Sequence, residues 1–479
     1  MTDDSSFSSP GTRAPQPHPL SRLRMAFDTP AVKFVLISAL TIALLVPSVF
    51  VWALVEERAE RAREVARDIA GSWGGIQEIN GPYLVVPYSE TVTIGSGEKG
   101  RTEVHWRTAL FLPQKLDVSG AVGVEERRKS IYTLPVYSGR FTLSGNFTPL
   151  REDLIKPVRG GIIDVKADAA ALVIGIGDIR ALKSEVALKL DGGRKVEFEP
   201  GLGPLAAQPA SGSGHVTVSS GIAAVVPASD LRKGFAFDLP IDLNGSTGVF
   251  FAPAGQTTTV SLTSDWPHPG FTGAFLPDSR KITGSGFEAS WTIPSLARGV
   301  PKVVEATGLP LRDTLLGVKF VEPVNFYQTI ARSLKYAVLF ISLTFLAVFV
   351  LEQRSRWQVH WIQYGLVGLA LIVFYVMLLA FAEHVGYALA YLGAATAATV
   401  LNAVYIGTSL RSRMAGAVMF TVLAVVFAVL YALMQEQDFA LLIGSLIAFL
   451  ALAVTMFATQ RLDWSGQSGT AGRPAPEPA

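Results

Sequence analysis

The sequence predicts a membrane protein of the α + β class. Six transmembrane helices, one N-terminal and five C-terminal, carry a large inserted antiparallel β-sandwich-like domain between the first helix and the second. Three observations predict this. Nearly half of the 479 residues are apolar and only 17% are charged, a low charge content for a soluble chain. Six apolar runs have uncharged middles, which avoids the cost of about 3 kcal/mol for a charge at mid-span. Between the first run and the rest lies a long segment of short alternating stretches, β-branched and aromatic, punctuated by turn residues.

Residues 1–29 are rich in Ser, Pro, Gly and Thr and read as a disordered tail, because they cannot bury enough apolar area to offset their ordering entropy. The first helix occupies residues 30–55. Its run Phe34–Val55 has no charge over 22 residues, enough to cross a hydrocarbon core of about 30 Å. Val51-Trp52-Ala53 also offers a small-residue cleavage site for a signal peptide. The run exceeds the usual signal core of about 7–15 residues, and Trp52 suits an interface anchor, so a retained span is favoured.

Residues 56–333 form the domain outside the bilayer. Val55, Ala59, Ala62, Val65, Ala66 and Ile69 recur at helical spacing, and Glu57 stands four residues before Arg61. A helical stalk over 56–70 follows, ended by Ser72-Trp73-Gly74-Gly75. The β-rich part covers 80–295, with strands expected in EVHWRTALFLP, RFTLSGNF, VALKL, KVEFE, HVTVSS, FAFDLPIDLNG, TTTVSLTS and SGFEASWTI. DLIKPVRGGIIDVKADAAALVIGIGD adds a small helix and a strand to this expectation. Residues 334–460 then make a five-helix bundle from the runs Leu334–Leu351, Trp361–Phe381, Val385–Leu410, Met414–Met434 and Phe439–Ala458. Residues 461–479 read as a second disordered tail.

Basic residues in short loops set orientation. Arg13, Arg22, Arg24 and Lys33 precede the first span; Arg354 and Arg356 follow the second, Arg411 and Arg413 the fourth, and Arg461 the sixth. The alternate loops carry Glu383 with His384, and Glu436 with Asp438. Both termini are therefore expected in the cytoplasm, with Arg332 and Lys335 as the discordant pair.

Specific residues along the chain resemble those of the CreD family of bacterial inner-membrane proteins, often labelled cell-envelope integrity proteins. They are Glu57-Arg58, Ser72-Trp73-Gly74-Gly75 with Gln77, Gly81-Pro82, Glu126-Arg127, Ile131-Tyr132, Pro135-Val136-Tyr137 and Ser144-Gly145. Then come Trp266-Pro267-His268-Pro269 with Phe271, Gly273 and Phe275-Leu276-Pro277, Tyr327-Gln328, Lys335-Tyr336, Leu343-Thr344-Phe345 and Gln363-Tyr364. Phe374-Tyr375, Glu383-His384, Phe439 to Ser445, and Asp463-Trp464 complete the set. The likeness runs from about residue 33 to 464. Three places depart from the family's pattern: it would have Pro at Trp361, Ser at Gly270, and an acidic pair at Gln437-Asp438. The resemblance implies an inner-membrane setting and a role in envelope stress; with the orientation set by the basic residues, the inserted domain is expected in the periplasm. It implies no catalytic residue, because the family has no agreed one.

No catalytic constellation stands out, and no cofactor or metal is expected. Cysteine is absent, which excludes disulfides, thiolate chemistry and Cys-type metal sites. A net charge of +2 with no basic stripe argues against a nucleic-acid partner. In Ser264–Pro277 the sharpest candidate is His268 of the motif Trp266, Pro267, His268, Pro269 and Phe271. Either it is a binding or catalytic histidine, or the prolines fix a corner whose rings plug the β core; the corner is favoured, as no nucleophile is spaced to join Asp265 and His268. The second candidate is the pair Glu383 and His384 at the end of a span, read as an interface pair that binds a metal or relays protons, or as two solvated loop residues. His105 and His360 read as packing or interface residues. Gly175-Ile176-Gly177 is too short to count as a phosphate loop.

Polar groups inside the spans are uncharged: Thr344, Tyr375, Thr396, Thr399, Asn402, Tyr405, Ser445 and Thr455. Gly386, Ala390, Ala394, Ala397 and Ala398 have small-residue spacing, so close packing with interhelical hydrogen bonds is expected. The expected function is a non-enzymatic envelope-integrity and stress-response protein. It would be embedded in the lipid bilayer, and its β domain would bind a periplasmic or inner-membrane protein partner or an envelope component, with no small-molecule substrate assigned. The alternative is a transporter or channel for a small envelope metabolite.

Overall fold

The computed structural model describes residues 30–94, 101–191, 193–205, 220–299, 301–305, 314–321, 326–354, 358–435 and 440–460. Both predicted tails, and the strand expected at 215–219, lie outside these residues. The chain divides into two units, Met1–Glu60 with Asn325–Ala479, and Arg61–Val324.

The first unit is helical because its apolar runs leave no other way to satisfy backbone groups in lipid. Helix α1 covers Pro30–Ala43 and α2 Leu45–Trp73. They interrupt at Leu44, where Pro47 has no N–H to give to Ala43 and crowds that carbonyl. The amphipathic stretch expected over 56–70 continues the same helix to Trp73. Then follow α3 (Phe326–Leu334), α4 (Ala337–Gln353), α5 (Trp361–Val385), α6 (Tyr387–Ser409), α7 (Arg413–Gln435) and α8 (Ala440–Thr459). Among the described residues four helices are long and apolar enough to cross a membrane, or five if α3 and α4, bent by 52°, make one span. That is fewer than the six expected. The bend falls at Lys335-Tyr336, where charge interrupts the apolar run.

The second unit is built on strands. In chain order they are β1 (Gln77–Ile94), β2 (Arg101–Phe111), β3 (Lys115–Lys129), β4 (Tyr132–Phe147), β5 (Ile162–Val165), β6 (Ala171–Ile176), β7 (Ala187–Leu190), β8 (Arg194–Glu197), β9 (Glu199–Pro200), β10 (Gly221–Val225), β11 (Phe235–Ser246), β12 (Gly248–Phe251), β13 (Thr257–Ser264), β14 (Pro269–Gly273), β15 (Ser279–Thr283), β16 (Gly286–Pro294), β17 (Val303–Glu305) and β18 (Leu316–Phe320). One sheet runs β14-β18-β12-β1-β6-β10-β9, with β2, β5 and β17 on side branches; the other runs β15-β16-β13-β3-β4-β11-β7-β8. The small helix expected within 153–178 is replaced by single 3-10 turns at Ala167–Ala169 and earlier at Glu152–Leu154, with β5 and β6 beside them.

Alternation puts one face of each sheet inward. In β13, Thr258, Val260 and Leu262 are buried while Thr257, Ser261 and Thr263 are exposed. Leu116, Val118 and Val122 of β3 and Phe141 and Leu143 of β4 join them in one core with Leu84, Val173, Val249 and Val318 of the other sheet. Rings bridge the layers: Phe141 meets Phe251 at 5.5 Å and Tyr137 meets Phe320 at 5.1 Å. The sandwich is not wholly antiparallel, because β1 pairs β12 and β3 pairs β13 in parallel. Alternation reports which face is buried and is silent on strand direction.

Candidate functional site

The Trp266–Phe271 stretch is a corner between sheets. β13 belongs to the eight-stranded sheet and β14 to the other, so the chain crosses the core edge at residues 265–268. Pro267 and Pro269 restrict the crossing to extended geometry. The Trp266 indole donates to Val321 O at 3.2 Å, and Val321 N donates to His268 O at 3.2 Å. Phe271 meets Phe287 at 5.5 Å and Trp291 at 5.9 Å, both edge-on. His268 itself is exposed, 6.3 Å from the Trp266 ring, and Asp265 turns away from it to accept Val124 N–H at 2.9 Å. The stretch therefore docks its rings and leaves the imidazole without a proton-transfer partner in Asp265.

Beside this corner the outer face of the eight-stranded sheet holds an open groove of about 860 Å³. Register builds it. Lys281 lies opposite Glu288, Glu288 opposite Thr263, Thr263 opposite Ala121, Ala121 opposite Arg140, and Arg140 opposite Asp242. Lys183 closes the row, donating its backbone N–H to Asp242 O at 2.9 Å. The pairing of β13 with β3 ends at Ser264 and Val122, and the Asp265 carboxylate takes over the next N–H of β3. Gly123, the next residue of β3, and Ser138 opposite it line the groove. Its charges are balanced: Arg140, Lys183 and Lys281 against Asp242, Asp265 and Glu288.

A third polar cluster is enclosed. Glu90 of β1 is fully buried and accepts N–H groups from Arg159 at 2.6 Å and Gly161 at 3.2 Å, and Arg107 Nε at 3.0 Å. Arg107 also bonds Glu305. Burial pushes the Glu90 carboxyl up, but the donated N–H groups and the Arg107 charge outweigh it and hold it below the usual carboxylate range. His105 lies 3.1 Å from Arg159 Nη1 at the rim.

In the helical unit the side chains of Glu383 and His384 turn to different surroundings. Glu383 turns inward, its side chain 3% exposed, to accept Tyr327 Oη at 3.1 Å and to face Arg58 at 3.6 Å. His384 points outward, with Nδ1 2.9 Å from Ala380 O. Glu352 is the buried carboxylate that sequence reading missed. It pairs with Lys33 and accepts Val359 N–H at 2.7 Å and Tyr364 Oη at 2.8 Å. The span polar groups divide by reach. Thr344 and Asn402 return to carbonyls of their own helices, Phe340 at 2.8 Å and Ala398 at 2.9 Å. Tyrosines are long enough to cross between helices, Tyr391 to Phe427 O at 2.7 Å and Tyr375 to Ser333 O at 3.4 Å. Ala390, Ala394 and Ala398 are buried; Gly386 and Ala397 are not.

Residues 29–465 match the family model described as Inner membrane protein CreD. Inner membrane protein CreD of Escherichia coli (strain K12) is 31% identical over 429 residues, covering 88% of this chain and 90% of that protein. The chain belongs to the CreD family. Its inner-membrane setting is thereby established, together with the mixed helical and β content. A solved M1 zinc metallopeptidase of Deinococcus radiodurans aligns over 72% of this chain and 94% of its own at 11% identity, with a TM-score of 0.19, and carries no argument.

The CreD-family motifs that the sequence offered as sites divide in the fold. Trp266, Pro267, Pro269 and Phe271 lie together at the corner with exposed His268 at its tip, and Glu383 and His384 are turned apart. The groove left no local signature, because its six charged residues come from distant parts of the chain and meet only through register. A signal for Glu352 was present in the sequence: an acid between the apolar run of α4 and Arg354 needs a partner when buried.

Proposed function

We propose that the chain is an envelope-integrity and stress-response protein that acts by binding and not by catalysis. The β domain lies in the periplasm and binds a protein partner or envelope component. Six spans anchor it, α8 supplying the last, with both termini in the cytoplasm. The basic residues Lys33, Arg354, Arg411 and Arg413 against Glu383 and His384 support this orientation.

The observation that carries the reading is a contrast between the two units. The β domain presents an open, charged groove of about 860 Å³. In the helical unit the buried carboxylates Glu352 and Glu383 are already engaged. A concave surface can orient a ligand through polar groups that are not already engaged within the protein. The second reading, a transporter or channel for a small envelope metabolite, draws on a cavity of about 480 Å³ lined by Tyr391, Thr396, Thr399 and Tyr431. Its walls are otherwise apolar, and Asn402 is closed onto its own helix.

Photo-crosslinkers placed at Ala121, Thr263 and Lys281 in intact cells test the first reading. It predicts one adduct shared by all three positions and absent when the crosslinker sits at exposed Leu296. No adduct at any of the three contradicts it. Saturable flux into liposomes that is lost with Asn402→Ala would establish the second reading in its place.

A further inference from the structure

Gly123 has no steric reason to be glycine. A Cβ built there meets only Asp265 Oδ2, at 4.0 Å, whereas one at Gly139 would lie 2.3 Å from the Phe141 ring and one at Gly120 2.6 Å from it. Its backbone is not in the left-handed region, and the β3–β4 register runs through it without a bulge, Val122 opposite Gly139 and Val124 opposite Tyr137. Glycine inside a strand costs stability and gives nothing to pack; where no bulge or bend needs it, it marks close approach by another chain or ligand. Gly123 lines the groove and is exposed.

The charges around it remain open. Among the described residues neither Arg140 with Asp242 nor Lys281 with Glu288 closes to an ion pair, although each pair is directly opposed. Elsewhere on this sheet a directly opposed surface pair does close, Lys189 with Asp238 at 3.7 Å. The row crosses six strands, or about 24 Å at the usual strand spacing, the length of about seven extended residues. Both signs alternate along it, and its middle positions, Thr263 and Ala121, are small. A polyanion would meet three carboxylates, and no exposed aromatic ring lines the floor for a sugar to stack on.

We propose that the groove over Gly123 binds an extended peptide segment of about seven residues that carries both ammonium and carboxylate groups. Its backbone lies against Gly123 and its charges meet Arg140, Lys183 and Lys281 on one sign and Asp242, Asp265 and Glu288 on the other. The proposal rests on the reading of the β domain as a binding module and specifies the chemistry of what it binds.

The test uses the full chain in detergent micelles and a library of seven-residue peptides carrying two Glu and two Lys in all orders. Comparison probes are all-Glu peptides, all-Lys peptides and N-acetylglucosamine oligomers. The proposal expects saturable, salt-sensitive binding of the mixed-sign library above the single-sign peptides. Gly123→Phe and Arg140→Glu should each weaken it at least about tenfold, while Leu296→Ala, at an exposed position outside the groove, leaves it unchanged. Unchanged thermal unfolding of Gly123→Phe separates blocking from misfolding; should that variant unfold, Arg140→Glu decides alone. Equal binding of end-capped peptides assigns the ligand to a segment within a protein, and a need for free termini assigns it to a free peptide; either supports the proposal. No preference for mixed-sign peptides, indifference to Arg140→Glu, or capture of the sugar oligomers instead overturns it. In those cases a shared crosslink at Ala121, Thr263 and Lys281 would still leave the binding-module reading standing, and its absence would remove both.

Discussion

Two glycines sixteen residues apart in the same sheet should answer the same substitution in opposite ways. Gly139→Ala drives a methyl group into the Phe141 ring, 2.3 Å away, and should cost about 1–3 kcal/mol. Gly123→Ala adds a methyl group in open space and removes backbone freedom from the unfolded chain, and should stabilise by about 0.5–1 kcal/mol. Urea unfolding of the two variants checks the pair. A matching contrast holds at the corner. Phe271→Ala removes a ring wedged between Phe287 and Trp291 and should cost about 2 kcal/mol. His268→Ala, at an exposed position, should stay within about 0.5 kcal/mol of the parent. The corner was legible because two prolines within three residues restrict their own neighbourhood. The groove was not, because a residue such as Arg140 gives no sign of facing Asp242 until the register of β4 on β11 is known.

At the scale of elements, the first span is fixed at both ends. Lys33 at its start meets Glu352 at the end of α4, and Arg58 further along meets Glu383 at the end of α5. The 25 residue steps from Lys33 to Arg58 cover about 37 Å of helix, a little more than the hydrocarbon thickness. The two clamps therefore set the span's height against its neighbours. Glu352→Ala removes the acceptor of Val359 N–H and Tyr364 Oη as well as the partner of Lys33, and should cost about 3 kcal/mol, read as a lower thermal midpoint in micelles. Arg58 is half-exposed and screened, so Arg58→Ala should move the midpoint less. Helices were legible from uncharged runs and strands from alternation. The 52° bend and the parallel β3–β13 pair were not: Lys335 marks where the apolar run breaks but not the angle, and the strand direction depends on pairing across about 140 residues of chain.

At the scale of the molecule, the two units are made for two solvents, and each has its own sensitivity. The β domain carries the buried carboxylate Glu90, held below its ordinary range in the fold. A lowered folded value means that the unfolded chain binds the proton more tightly. The stabilisation is thus complete above the ordinary glutamate range, about pH 4–5, and is lost as pH falls through the lower folded value. Acid titration of unfolding should show a steep loss of stability in the parent and a shallower one in Glu90→Gln. The orientation proposed for the helical unit rests on the asymmetry of basic residues. Composition made the division into two units plain, whereas no sequence pattern indicated which part of the β domain faces a partner.

The most direct test of the account combines side and surface. The chain has no cysteine, so a single introduced one reports without background. Gly123→Cys places a thiol in the open groove, and Arg413→Cys places one at the start of α7, on the side assigned to the cytoplasm. With the outer membrane permeabilised and the inner membrane intact, an impermeant maleimide should label Gly123→Cys and spare Arg413→Cys until the cells are lysed. Labelling of Arg413→Cys with Gly123→Cys protected until lysis would contradict the account.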